Sequence, residues 1–164
     1  MDVTVTVRRP RLFIDTGALI AVYDERDALH SRAVRFRDEI LLPYQVEMFC
    51  SYYVVAEALN NLQRRLWAGK MRNMDFDRAA DELALARFLR ILPINGAVNV
   101  RAREIISKYE RRFSFTDATS LAILEREGIR NIFSFDRDFE RYPMKVGHTT
   151  IFLSCHPSSV PLSG

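Results

Sequence analysis

A chain of 164 residues can hold one domain with a full hydrophobic core and is too short for two comfortable ones. Hydrophobic residues at 48% and aromatic residues at 11% exclude a disordered tail, and no apolar run approaches the ~20 residues of a membrane span. Lys and Arg total 24 against 21 Asp and Glu, giving a formal net charge of +3. Only Lys70, Lys108 and Lys145 are lysines, and this arginine bias suits a phosphate-bearing partner without deciding for one.

Residues 1–10 begin with an alternating Val/Thr stretch, which lacks the continuous apolar segment of a signal peptide, so a cytoplasmic protein is expected. This stretch reads as an extension before a core spanning about 11–153. Arg11-Leu-Phe-Ile14 is a short apolar run that stops at Asp15, and Thr16–Tyr23 is helix-like. Leu29–Leu41 carries Ala33, Phe36 and Ile40 at helical spacing. Val46–Cys50 is a second strand, and Ser51 can cap a long helix reaching Ala68, with Gly69 past its end.

Asn73–Leu89 places Phe76, Ala79, Leu83 and Ala86 on one helical face. Arg90–Ile94 is a third strand, demoted to an edge by Pro93. Ala97–Tyr109 is helical with Val100 and Ile105 or Ile106 inward, and Thr116 can cap a helix that stops at Gly128. Asn131–Phe135 is a fourth strand, Thr149–Leu153 a fifth, and residues 154–164 a loose tail. Alternating β and α elements of these lengths predict one α/β domain with a mostly parallel five-stranded sheet covered on both faces, a three-layer α/β/α arrangement. Sites in such folds form beyond the carboxyl ends of the strands.

Four carboxylates stand at such positions. Asp15 follows the first strand in Phe-Ile-Asp-Thr-Gly-Ala, and Asp136 follows the fourth in Phe-Ser-Phe-Asp-Arg-Asp. Asp117 opens a helix in Phe-Thr-Asp-Ala-Thr, and Glu57 interrupts the apolar run Tyr-Val-Val-Ala-Glu-Ala-Leu. Taken singly, each has a plain explanation as a cap, a turn residue or an ion-pair partner. Taken together, they can gather at one sheet edge. Carboxylates packed this way repel unless a cation neutralises them, and hard divalent ions with oxygen ligands do so naturally. Neither Cys50 nor Cys155 belongs to a cluster at zinc-ligand spacing, so zinc is not expected.

The segments Phe13-Ile-Asp-Thr-Gly-Ala-Leu19, Ser51-Tyr-Tyr-Val-Val-Ala-Glu-Ala-Leu59, Phe115-Thr-Asp-Ala-Thr-Ser-Leu-Ala122 and Phe133-Ser-Phe-Asp-Arg-Asp-Phe139 together resemble the PIN-domain nucleases, especially the small VapC-like toxins of toxin–antitoxin pairs. The resemblance implies a central parallel sheet and an acidic catalytic set of Asp15, Glu57, Asp117 and Asp136. It implies Mg²⁺ or Mn²⁺ held by Asp15, Asp117 and Asp136, and hydrolysis of single-stranded or structured RNA. Glu57 would orient a metal ligand or the attacking water, and attack by water would leave a 5′-phosphate and a 3′-hydroxyl. Thr16, Thr116 and Ser134 would support the acids. The resemblance further implies a homodimer and a small inhibitory antitoxin partner. Many relatives carry a second acid one turn after the helix Glu, where this chain has Asn60 and Asn61, so the metal stoichiometry stays open. Asp138 competes with Asp136 for the fourth position; a helical turn beginning there would make Asp138 the cap and Asp136 the site acid.

Arg64, Arg65, Arg72, Arg101, Arg103, Arg111 and Arg112 are candidate phosphate contacts, and Tyr52, Tyr53 and Trp67 are candidate stacking surfaces, with Trp67 better explained by a core or subunit interface. Asp15-Thr16-Gly17-Ala18 matches the aspartic-protease tetrapeptide, but that chemistry needs two facing aspartates in an all-β fold, which the helical periodicity here contradicts. A phosphatase with a nucleophilic Asp15 would want an acid at Gly17. The rival of another class is a non-catalytic RNA-binding or protein-docking module, which would not need all four acids.

Overall fold

The computed structural model describes residues 9–146, 149–152 and 154–156. Five parallel strands form the central sheet: β1 (Arg11–Ile14), β2 (Glu47–Cys50), β3 (Arg90–Ile91), β4 (Asn131–Phe133) and an edge strand, β7 (Ser154–His156). Their order is β3-β2-β1-β4-β7, so the chain winds outward from β1 in one direction and then returns to build the other half. The switch falls between β1 and β4, whose register pairs Ile14 with Phe133. Two further strands, β5 (Pro143–Val146) and β6 (Thr149–Phe152), pair antiparallel as a separate ribbon.

Six α-helices flank the sheet among the described residues: α1 (Thr16–Tyr23), α2 (His30–Phe36), α3 (Tyr52–Trp67), α4 (Asn73–Ala84), α5 (Gly96–Lys108) and α6 (Phe115–Glu127). Helices α1 to α4 pack among themselves, and α5 packs on α6. Helix α2 widens into a π turn over Arg37–Leu41. The core runs through both layers, with Leu12, Phe13, Ile132 and Phe133 of the middle strands and Leu62, Ile105, Leu121 and Leu124 of the helices at 0–1% exposure. Burial of side chains on both faces is what makes β1 and β4 read as unbroken apolar runs rather than alternating ones.

Caps fix the helices that carry the acids. Ser51 accepts from the Val54 amide to start α3, and Gly69, at φ +67°, follows its end. Helix α6 ends at Gly128 in the left-handed conformation, as expected for a C-terminal glycine.

Several sequence expectations are corrected. Thr149–Phe152 belongs to the ribbon, and the fifth strand of the sheet lies later, inside the segment read as a loose tail. Ser114 caps α6 in place of Thr116. Helix α4 stops at Ala84, and Ala86 lies beyond it at φ 49°. Val100 faces solvent while Ile105 is buried, and Trp67, at 74% exposed, is not part of this chain's core. The third and fourth strands are shorter than read, ending at Ile91 and Phe133. Most of the expected N-terminal extension (residues 1–8), Leu153 and residues 157–164 lie outside the described residues.

Candidate active site

The site grows from the switch point. Asp15 continues β1: its amide donates to the Phe133 carbonyl at 3.0 Å, and its own extended backbone starts α1. The side chain is 6% exposed. Its Oδ2 accepts from the Ser134 hydroxyl at 2.9 Å, while Oδ1 is buried with no hydrogen-bond partner. Burial pushes the Asp15 carboxyl up to about 7, and the neighbouring Asp117 and Asp136 charges push the same way, against the hydrogen bonds from the Ser134 hydroxyl and the Thr16 backbone amide.

Ser134 ties two strand ends together. Its hydroxyl donates to Asp15 and accepts the Asp136 amide at 3.0 Å. Asp136 then caps the short 3-10 turn Arg137–Arg141, its Oδ1 accepting the Asp138 amide at 2.8 Å. This corrects the expectation that Asp138 supplies the cap. Asp138 instead lies within 3.7 Å of the Arg112 guanidinium and 3.5 Å of that of Arg141.

Asp117 is the third residue of α6 and closes a capping box with Ser114. Asp117 Oδ2 accepts from the Ser114 amide (2.9 Å) and hydroxyl (2.7 Å), and that hydroxyl oxygen accepts the Asp117 amide. Burial raises the Asp117 carboxyl above its usual range, and the Glu57 and Asp136 charges add to the rise. Glu57 projects from α3, and its Oε2 accepts the Thr16 hydroxyl at 2.7 Å. The four acids named from sequence therefore gather at one sheet edge, where Asp15 meets the charges of Asp117 and Asp136, and Asp117 those of Glu57 and Asp136. Among the described residues, no three His, Cys, Asp or Glu side chains converge closely enough to enclose an ion by themselves.

The supporting residues divide. Ser134 and Thr16 hold acids directly. Thr116 does not; its carbonyl accepts the Thr119 and Ser120 hydroxyls inside α6. Asn60 is exposed, while the Asn61 amide donates to the Glu57 carbonyl at 2.8 Å. Ser114 is the residue sequence reading passed over, although Ser114-x-x-Asp117 is a capping-box pattern.

The arginines divide too. Arg65 donates to Asp24 (2.6 Å) and Asp27 (2.8 Å), Arg72 grips Asp75, and Arg101 bridges Glu104 and Glu125, so these three serve internal ion pairs rather than the expected phosphate contacts. Arg111 and Arg112 are exposed on the loop before α6. There Glu110 and Arg111 take positive φ angles of 52° and 61° and are held by amide bonds from Arg111 to Ile106 and from Arg112 to Tyr109.

A parallel α/β sheet with acids from β1, β4, α3 and α6 at its switch point defines a class. The PIN domain family model matches residues 12–145, and the chain belongs to that family. Its VapC-like character follows from particular relatives. It is 30% identical over 129 residues to "23S rRNA-specific endonuclease VapC20" of Mycobacterium tuberculosis, a match covering 78% of this chain and 91% of the relative. The crystal structure of that sarcin–ricin loop cleaving toxin superposes at a TM-score of 0.68 with 26% identity, over 85% of this chain and 99% of the other. At fold level alone the chain is similar to VapBC2 from Rickettsia felis, solved bound to a promoter DNA fragment (TM-score 0.61, 11% identity, 88% and 98% covered).

Proposed function

We propose that this chain is a metal-dependent endoribonuclease that hydrolyses RNA phosphodiesters at the Asp15, Glu57, Asp117 and Asp136 edge, and that it is the toxin of a toxin–antitoxin pair. The observation that carries the reading is Asp15: a buried carboxylate oxygen without a donor, beside two further acids, at the switch point of a parallel sheet.

The donor set fits a hard divalent cation. Asp15, Asp117 and Asp136 would hold Mg²⁺ or Mn²⁺, which takes one or two carboxylates directly and keeps several waters, so three converging ligands are not required beforehand. When bound, such an ion supplies Lewis-acid polarisation of the phosphoryl group and lowers the pKa of a coordinated water. The protein's own groups do the rest. Ser134 fixes the Asp15 carboxylate, Ser114 fixes Asp117, and Thr16 holds Glu57, whose other oxygen would accept a proton from the attacking water. Arg111 and Arg112, on the loop leading into α6, offer guanidinium groups to flanking phosphates.

RNA as substrate follows the 23S rRNA-specific relatives, and an antitoxin follows the VapBC architecture. Apolar surface supports a homodimer or protein partner: Trp67, Met74, Leu85 and Phe88 are exposed, and an apolar cavity of about 270 Å³ opens beside Ile14, Tyr23, Leu41, Met48 and Phe133. No helix among the described residues is long and apolar enough to cross a membrane.

Incubating the purified protein with an RNA panel that includes 23S rRNA tests the proposal. Cleavage with Mg²⁺ or Mn²⁺, abolished by chelator and by Asp15→Asn, is the expected result. Full activity in Asp15→Asn would overturn the site. Metal-dependent cleavage of no RNA, with binding retained, would make the chain a docking module.

A further inference from the structure

Two large aromatic side chains sit beside the acids and are left in solvent. Tyr53 precedes Glu57 by four residues on α3 and so shares its helical face. Phe115 is the first residue of α6, between the cap Ser114 and the acid Asp117. Their ring centroids are 6.2 Å apart and their planes are inclined by 39°, so the pair bridges the two helices that carry Glu57 and Asp117. Tyr53 is 39% exposed and Phe115 47%.

Tyr52, at the start of α3, is also exposed (59%), but the aromatics packed against α6 behave differently. Phe113, two residues before Phe115, packs with Phe139, Tyr109 and Tyr142, and Phe113, Phe139 and Tyr142 are each at most 4% exposed. Residues whose task is to hold α6 down are therefore buried, and the Tyr53–Phe115 pair is not among them. Its inclined rings remain partly exposed. Along the chain the pair is flanked by Glu57 and Asp117, and Arg111 and Arg112 precede Phe115 by four and three residues.

We propose that Tyr53 and Phe115 form a stacking step for one unpaired nucleobase of the RNA next to the scissile phosphate. The proposal rests on the ribonuclease reading above and adds to it the two side chains that receive a base free to unstack. The occupant follows from what surrounds the step. A phosphate brought to the acids carries its nucleoside one ribose away, comparable to the ~5.4 Å turn that separates Tyr53 from Glu57. Exposed aromatic faces accept any base, because every base has a π-face, and the arginines suit the next phosphate along the strand. Single-stranded loops, whose bases can be splayed out, present such a base, and a continuous A-form duplex does not.

The test is equilibrium binding of single-stranded RNA oligonucleotides carrying one 2-aminopurine at successive positions, with Ca²⁺ in place of Mg²⁺ or Mn²⁺. One position should lose fluorescence on binding as its base stacks. Phe115→Ala should abolish that quench and weaken binding about 5- to 100-fold, and Phe115→Trp should keep both. Tyr53→Ala gives a second, independent loss, and Tyr44→Ala, at an exposed tyrosine elsewhere, should change nothing. An abasic nucleotide at the quenched position should weaken wild type by the same factor and leave Phe115→Ala unaffected. Binding by Phe115→Ala or Phe115→Leu equal to wild type would overturn the stacking step. So would abasic and Phe115→Ala losses that multiply. If these variants shift only the monomer–dimer equilibrium, the patch is a protein interface and the proposal falls. Cleavage with Mn²⁺ is scored separately. Stacking without cleavage sinks the ribonuclease reading alone, and cleavage without a quench sinks the stacking step alone.

Discussion

Helix α1 is bounded by two buried aspartates whose surroundings are opposite. Asp15, at its start, is 6% exposed; Asp24, at its end, is 2% exposed. Asp24 accepts from the Arg65 guanidinium at 2.6 Å and from the Arg26 amide at 3.0 Å, and Asp27 shares the same guanidinium. Nearby Asp75 is also buried, and the bidentate Arg72 holds its carboxyl below the usual range. Asp15 has only neutral donors and faces further acids, and its carboxyl rises to about 7. Burial alone therefore does not mark a functional acid here. The sign of the neighbouring charge separates the two regions: Asp24 and Asp75 meet arginine and form internal ion pairs, whereas Asp15 meets further acids, the arrangement that the proposed function assigns to a cation.

The largest contrast should come from neutralising one member of each region. Asp15→Asn should take RNA cleavage below detection while raising the melting temperature of the metal-free protein, because a desolvated, repelled charge is removed. Arg65→Ala should leave cleavage intact and lower stability by about 2 kcal/mol, since it strands two carboxylates; the figure stays below that of a fully buried pair because Arg65 is one-third exposed. Cleavage assays and urea unfolding on both variants check this, and the comparison breaks if the two phenotypes coincide.

The two regions should also bend the pH profile in opposite directions. Asp15 titrates near its ordinary 3.8 when unfolded and near 7 when folded, so the folded state holds a proton that the unfolded state has lost. Its contribution is fully present below about pH 4 and is lost as pH rises through 7, by up to about 4 kcal/mol. Asp75 works the other way: its contribution is present above about pH 4 and is lost as pH falls through its lowered folded value. Chemical denaturation of metal-free protein from pH 3 to 9 should show a maximum on the acid side of neutrality. Saturating Mn²⁺ should flatten the fall toward pH 7, because the ion takes the ionised carboxylate.

Ser134→Ala sharpens the picture at the orienting group. It frees the Asp15 Oδ2 and Asp136 amide contacts while leaving every acid in place, and Mn²⁺ affinity should drop about 10- to 100-fold with the fold retained. The smallest effect separates the two candidates for the fourth acid. Asp136→Asn should weaken Mn²⁺ binding in calorimetry, whereas Asp138→Asn should leave it near normal. Asp138→Asn should also lower stability by less than about 1 kcal/mol, because its Arg112 and Arg141 contacts are long and exposed. Loss of metal binding in Asp138→Asn alone would exchange the roles.

The four acids were legible in sequence because each stands where an apolar run breaks, and such breaks mark strand ends or intrusions into a buried face. The alternation of elements gave the parallel sheet for the same reason. What was hidden depended on partners far along the chain. Arg65 looks like a free basic residue until the fold brings Asp24 and Asp27, some forty positions away, against it. Thr149–Phe152 has a strand's pattern whichever sheet it joins, and only pairing with Pro143–Val146 assigns it to the ribbon. Ser114 and Thr116 are both good caps. Ser114 prevails because Asp117, three residues on, reciprocates its hydrogen bond. Phe113 and Phe115 are alike in the sequence Phe-Ser-Phe, yet one is core and the other lies open beside the site.

The central claim is that the Asp15 edge is built to bind a divalent cation, and thermal unfolding of wild type and Asp15→Asn with and without millimolar Mn²⁺ tests it most directly. The account predicts that Mn²⁺ raises the wild-type melting temperature in a concentration-dependent way and raises that of Asp15→Asn little or not at all. A wild-type melting curve indifferent to Mn²⁺, or an equal shift in both proteins, would contradict it.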